Sequence, residues 1–165
     1  MMTRDCRIGH SFDVHRFRRG RKLILGGVEI PYAFGLAGHS DADVVLHALM
    51  NALLGAMGKG DIGIHFPDTD PSYKGISSEK LLQRVLRTMK QARFRIVNGD
   101  VTLIAQKPRL TPFFKEIRRH LAGLLSVPEE RITLKAVTTE GLGWVGEGRG
   151  MAATAVVLLE KRRSR

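Results

Sequence analysis

A chain of 165 residues, 43% of them apolar, is long enough to bury one real hydrophobic core and needs no disulfide framework. The single cysteine, Cys6, excludes an intramolecular bridge, and the first ten residues carry no apolar signal region, so a soluble protein of a reducing, cytoplasmic compartment is expected. With 27 Lys+Arg against 16 Asp+Glu the formal charge is +11, which favours anionic ligands; the 6% of aromatic residues, never interleaved with basic ones, argue against a base-stacking nucleic-acid platform.

In chain order, Arg7 to His15 reads as a strand with Ile8, Phe12 and Val14 as its apolar positions. Lys22 to Leu25 and Val28 to Ile30, separated by Gly26-Gly27, carry the two-residue turn signal of a β-hairpin that Pro31 ends. A first helix is expected over residues 42–57, capped near Ser40 or Asp41, with Leu46, Leu49, Met50, Leu53, Leu54 and Met57 on its buried face. A second, Ser78 to Ala92, shows Leu81, Leu82, Val85, Leu86 and Met89 at helical spacing. Val101 to Ala105 reads as a strand, and Thr111-Pro112 opens a third helix carrying Phe113, Phe114, Ile117, Leu121 and Leu124.

Ile132 to Val137 and Met151 to Leu159 complete the strands, and their short connection predicts an antiparallel pair. The apolar run Met151 to Leu159 falls far short of the ~20 residues needed to cross a bilayer, so no membrane partner is expected. The pattern gives one α/β (α+β) domain over residues 1–165, with the basic residues 161–165 as a frayed, solvated tail.

Chemistry concentrates in two separated segments, Asp13-Val14-His15 and His39-Ser40-Asp41-Ala42-Asp43 leading to His47. On a strand, Asp13 and His15 project to one side, and a helix over 42–57 frees the His47 imidazole to meet them. Two imidazoles and a carboxylate leave a fourth tetrahedral position open, the pattern of a catalytic zinc. Ligand type alone does not fix the metal, and a two-His-one-carboxylate Fe(II) oxygenase uses the same set. Each piece also has an ordinary reading: His47 as a core histidine, His39 and Ser40 as a helix cap, and Asp61-Ile62-Gly63 or Phe66-Pro67-Asp68 as turn chemistry.

Taken together, Arg7 to His15, His39 to His47, Gly60-Asp61-Ile62-Gly63, Phe66-Pro67-Asp68-Thr69-Asp70-Pro71 and Thr138-Thr139-Glu140 resemble the motif series of the 2-C-methyl-D-erythritol 2,4-cyclodiphosphate synthase family, over about residues 7 to 159. The resemblance implies a CMP-forming lyase of the non-mevalonate route to isoprenoids. It makes Asp13, His15 and His47 ligands of Zn²⁺ and Glu140 the ligand of a second ion, Mg²⁺ or Mn²⁺, with His39 and Thr138 stabilising the transition state.

Substrate contacts are implied at Asp13, Val14, His15, His39, Ser40, Asp61, Ile62, Gly63, Phe66, Pro67, Asp68, Thr69 and Asp70, and at Val137, Thr138, Thr139, Glu140 and Trp144. The segment Ala105, Gln106, Lys107, Pro108, Arg109, Leu110 and Thr111 matches the one that binds cytidine. The implied fold is a mainly antiparallel four-stranded sheet covered by helices on one face, plus a small hairpin, with three such sheets packed about a threefold axis in a homotrimer whose sites lie between subunits.

Departures from the family pattern fall at Val137, where a threonine is usual, at Asn51, where an acid is usual, and in Gly146-Glu147-Gly148-Arg149-Gly150, in which the usual order of the two charges is exchanged. That exchange is expected to keep an ion pair between subunits while altering an anion site on the threefold axis.

Overall fold

Strict alternation along β1 (Cys6–Arg19) organises the molecule: Gly9, Ser11, Asp13, His15 and Phe17 turn inward while Ile8, Phe12 and Val14 face outward. The computed structural model describes residues 5–162; of the predicted basic tail, Lys161 ends a strand, Arg162 is described, and residues 163–165 lie outside the described residues. After β1 come β2 (Leu23–Leu25) and β3 (Val28–Ile30), the expected hairpin as a separate two-stranded sheet, and a short β4 (Phe34–Leu36).

Helix α1 (Val44–Ala56) and the single-turn α2 (Ile62–His65) precede α3 (Ser78–Gln91). Then follow β5 (Phe94–Ile104), α4 (Phe114–Leu125), β6 (Ile132–Val137), a short α5 (Gly143–Gly146) and β7 (Gly150–Lys161). Among the described residues no helix is long and apolar enough to cross a membrane.

The main sheet has five strands in the order β4-β1-β7-β5-β6, not four. The extra strand, β4, pairs three residues with Phe17, Arg18 and Arg19, a run too short to show a period in sequence. The predicted antiparallel pairing of the last two strands is also overturned: β6 runs parallel to β5, and β7 lies between β1 and β5, antiparallel to both. The cause is α4, which fills the connection from β5 to β6 as a crossover and brings the chain back in the same direction. β7, apolar almost throughout, then takes the centre of the sheet, where both its edges are paired.

The cap of α1 is neither Ser40 nor Asp41 but Asp43. Its buried carboxylate accepts from the amides of Val45 and Leu46 and also from those of Gly26 and Gly27, so one side chain both starts the helix and docks the hairpin turn beneath it. The predicted strand at Val101 begins seven residues earlier, at Phe94, because the pairing ladder carries through polar Arg95, Asn98 and Asp100 with a bulge between Ile96 and Asn98. All three long helices lie against one face of the sheet, and α1 is buried along nearly its whole length among Leu23, Leu82, Val101 and Leu103.

Candidate metal centre

The period-2 geometry of β1 and the start of α1 bring three donor atoms to one point. His15 Nε2 lies 3.1 Å from Asp13 Oδ2 and 3.0 Å from His47 Nδ1, and His47 Nδ1 lies 3.3 Å from the same Asp13 oxygen. Three donors about 2.0–2.1 Å from a tetrahedral zinc sit about 3.3 Å apart, so this triangle is the size of one face of that tetrahedron. Asp13 Oδ2 is buried and receives no well-directed hydrogen bond despite its two imidazole neighbours, an arrangement that a cation would satisfy. The residues fit a divalent ion.

Both rings are fixed from behind. His15 Nδ1 lies 2.8 Å from the carbonyl of Ala37; a carbonyl only accepts, so Nδ1 carries the proton and Nε2 offers its lone pair. His47 Nε2 meets the hydroxyls of Ser78 at 3.0 Å and Ser40 at 3.1 Å. The loop over residues 37–43 is anchored by Arg21, which donates to the carbonyls of Gly38 and Ser40, and by backbone bonds from Gly75 to His39 and from Asp41 to Ile76.

Burial opposes both charges, yet the Asp13–His15 contact outweighs it. The Asp13 carboxyl is held well below the usual carboxylate range by the two imidazoles, and the His15 imidazole is raised by the hydrogen bond and charge of Asp13. When His15 is charged it carries a second proton, on Nε2, and a metal must displace that one. Affinity for a divalent ion is therefore expected to weaken as pH drops below the raised His15 value, by about tenfold per pH unit where one proton is released. Chelator-competition titrations across pH check this; a flat profile through that range refutes it.

A cavity of about 510 Å³ opens over the triad, lined by Asp13, His15, His39, Ser40 and His47 on one side and by Ile62, Gly63, Phe66, Pro67, Asp68 and Thr69 on the other. Sequence reasoning missed Tyr73, Ile76 and Leu81 in this wall, as well as Ser78 behind His47 and Arg21 behind the loop. Two of the residues expected to meet substrate also have local bonds: Asp61 caps α2 by accepting from the amide of Ile64, and Asp70 accepts from that of Ser72 at the start of a 3₁₀ turn. Val14 faces away from the cavity, on the exposed side of β1.

The remaining predicted residues form a second group, away from the triad. Ala105 donates its amide to Val137, which sets residues 105–111 beside Val137, Thr138, Thr139 and Glu140 at the ends of β5 and β6. There Thr138 Oγ1 donates to Glu140 at 2.8 Å, Thr139 Oγ1 donates to the Leu142 carbonyl, Leu110 is buried, and Lys107, Arg109 and Glu140 are exposed. Gln106 Oε1 is a buried acceptor with no hydrogen bond, and Lys107-Pro108 is a cis peptide. Trp144 does not reach the metal cavity; it lines another, with Val14, Arg16, Phe17 and Arg149.

Two departures acquire local roles. Asn51 Oδ1 accepts the Ile62 amide at 2.8 Å, tying α1 to the cavity's far wall, a bond that a carboxylate would also make. Glu147 and Arg149 pair within one chain at 3.2 Å, both largely exposed, so the expected pairing between subunits is not needed to satisfy them.

A mixed five-stranded sheet and the helix packed on it bring two imidazoles and a carboxylate together at one end of a cavity, a donor set that fits one divalent metal ion. Residues 6–160 match the model of the YgbB family, and the chain belongs to that family. The chain is 56% identical over 155 residues, 94% of each chain, to the 2-C-methyl-D-erythritol 2,4-cyclodiphosphate synthase of Syntrophotalea carbinolica. It superimposes with a TM-score of 0.86 and 40% identity on a solved cyclodiphosphate synthase in its CDP-bound form, over 93% of this chain and 99% of that one. It also matches the bifunctional IspDF of Campylobacter jejuni with a TM-score of 0.93 and 40% identity, over 97% of this chain; there it spans 43% of the other chain's length.

Proposed function

We propose that the protein is a cyclodiphosphate synthase that converts 4-diphosphocytidyl-2-C-methyl-D-erythritol 2-phosphate into 2-C-methyl-D-erythritol 2,4-cyclodiphosphate and CMP. The observation that carries this reading is the buried triad of Asp13, His15 and His47 beneath a cavity walled by residues 62–69. The match to synthases spans 94% of the chain rather than the ligand types alone, which favours this reaction over the iron-oxygenase reading.

An oxygen of the 2-phosphate attacks the β-phosphorus as the anhydride oxygen departs with CMP, so one P–O–P bond forms as another breaks and no water enters. Such a transfer demands alignment and charge neutralisation rather than a protein nucleophile. Asp13, His15 and His47 would hold Zn²⁺, which when bound would supply Lewis-acid polarisation of a phosphate oxygen. His39, exposed at the cavity mouth, donates to oxygens that gain charge, and Ser40, braced by Arg21, fixes the loop that carries both. Phe66 and Tyr73, stacked edge-on 5.6 Å apart, form the apolar side against which the methylerythritol carbon chain packs.

The second group completes the site from a neighbouring subunit. Within one chain β7 and β5 separate β1 from β6, three strand spacings or about 14 Å, too far for Thr138 and Glu140 to close over their own triad. The open sheet face presents Ile8, Phe12, Val14, Val137 and Val156, an apolar surface that a homotrimer covers. In that assembly Thr138 would face the transferring phosphate, residues 105–111 would hold the cytidine, and the Glu140 carboxylate would hold a Mg²⁺ or Mn²⁺, a hard ion that prefers oxygen donors and would neutralise phosphate charge. The enzyme works in the cytoplasm.

The test is to incubate zinc-loaded protein, shown by light scattering to contain three chains, with the diphosphocytidyl substrate and Mg²⁺. Equimolar CMP and cyclic diphosphate, followed by phosphorus NMR, are expected. Absence of both products from a zinc-loaded trimer refutes the assignment.

A further inference from the structure

The two histidines of the triad are set by different chemistry. His15 faces a carbonyl, which fixes its tautomer outright; His47 faces two hydroxyls, and a hydroxyl both donates and accepts. The hydroxyls alone leave open which nitrogen of His47 carries the proton, and Asp13 Oδ2, 3.3 Å from Nδ1, draws it toward the metal side. The deciding group is Asp41. One of its oxygens takes the hydroxyl proton of Ser78, and the other accepts the Ser78 amide at 3.0 Å. A Ser78 hydroxyl committed to a carboxylate has only lone pairs left for His47, so His47 Nε2 must donate to it.

We infer that Asp41 and Ser78 are positioning residues whose hydrogen-bond chain holds His47 in its Nε2–H tautomer and thereby presents an Nδ1 lone pair to the metal. The inference rests on the reading of His47 as a metal ligand. Ser78 is completely buried at the first turn of α3, so no water competes for the chain. Ser40 cannot substitute for Ser78: its oxygen already accepts the Ala42 amide at 3.0 Å, and its own proton has no carboxylate to hold it away from His47.

Asp41→Asn reverses the chain without removing its atoms. Two amides use Asp41 as acceptor, Ser78 at 3.0 Å on one oxygen and Asp43 at 3.3 Å on the one that takes the hydroxyl proton, so the asparagine oxygen keeps the shorter bond and its NH₂ turns to the Ser78 oxygen. Ser78 then donates to His47 Nε2, and the His47 proton moves to Nδ1, where a metal should bind. Asparagine keeps the size of Asp41 and an oxygen for the Ser78 amide, so a purely structural role for Asp41 predicts no change of the His47 tautomer.

The experiment is nitrogen-15 NMR of the imidazoles in metal-free protein, together with zinc and cobalt affinities from chelator competition. Wild type is expected to show His47 protonated at Nε2. Asp41→Asn is expected to shift His47 to Nδ1–H and to weaken metal binding by about 10- to 100-fold at an unchanged melting temperature, the scale of effect seen when a partner of a ligating histidine is lost. Ser78→Ala, which leaves His47 to the Ser40 hydroxyl alone, is expected to mix the tautomers and weaken binding by a smaller factor; it carries the test if Asp41→Asn does not fold. Wild-type tautomer and affinity in the folded variants overturn the inference. Failure of the wild type itself to bind zinc overturns the metal reading instead, and the two outcomes are separable because the tautomer is read without metal.

Discussion

His47→Ala is expected to remove bound metal and turnover together while leaving the fold in place. Its imidazole supplies one of three donors within 3.0–3.3 Å of one another, and the two that remain, Asp13 and His15, share one strand and one side of the cavity. Zinc held by two side chains loses both affinity and the orientation of its open position. Release of CMP is expected to fall by at least about a thousandfold, some 4 kcal/mol of transition-state stabilisation. The fold is expected to survive because alanine is the best helix former and Ser78, freed from His47, keeps Asp41 as its partner. Zinc content by elemental analysis and product formation are measured on the same preparation. Stoichiometric zinc with wild-type turnover in this variant refutes the three-ligand site; a variant that loses turnover yet keeps its zinc places His47 in chemistry rather than in metal binding.

The triad was legible in sequence because both of its determinants are local. Asp13 and His15 are two apart on a strand, and His47 sits in a helix whose period is unmistakable from Leu46 to Met57. The residues behind the triad were hidden for the opposite reason. Ser78 looked like an ordinary helix start, and only the fold brings α3 against α1 so that its hydroxyl meets a ring 31 positions earlier in the chain. Asp61 and Asp70 show the converse: residues that the motif order marks for substrate are engaged in capping turns, so their motif identity and their local role coincide. Strand pairing was the least legible level. Nothing in Ile132 to Val137 states which neighbour it takes; that choice belongs to the α4 crossover and to β7 filling the centre.

How closely α1 lies on β1 decides whether the His47 nitrogen reaches the strand pair at all, and Gly9 sets that distance. Helix α1 presents Ala48, Ala52 and Ala56 at four-residue intervals toward β1, and Ser11 Oγ donates to the Ala48 carbonyl at 2.6 Å. A methyl group on Gly9 would stand 1.8 Å from the Ala52 carbonyl oxygen and 2.9 Å from the Ala56 methyl, against backbone that has no rotamer by which to retreat. Gly9→Ala must therefore lift the helix from the strand. Overpacking of this kind costs about 3 kcal/mol, near the upper end of the usual range because the obstacle is main chain. For a domain of this size that lowers the melting temperature by roughly 6–12 °C. Because the same movement carries His47 away from Asp13 and His15, metal affinity is expected to fall as well, although Gly9 touches no ligand; sites of this kind tolerate displacements of only about 0.5 Å. Gly55→Ala on the outer face of the same helix is the matched control. A methyl there meets nothing within 4 Å, and the gain in helix propensity is expected to stabilise the protein by about 0.5–1 kcal/mol with zinc binding unchanged. Calorimetric melting of the metal-free proteins and zinc titration of each decide the matter: Gly9→Ala with wild-type melting and wild-type affinity shows that α1 can shift without moving His47, and the close approach at Gly9 then has no part in placing the metal centre.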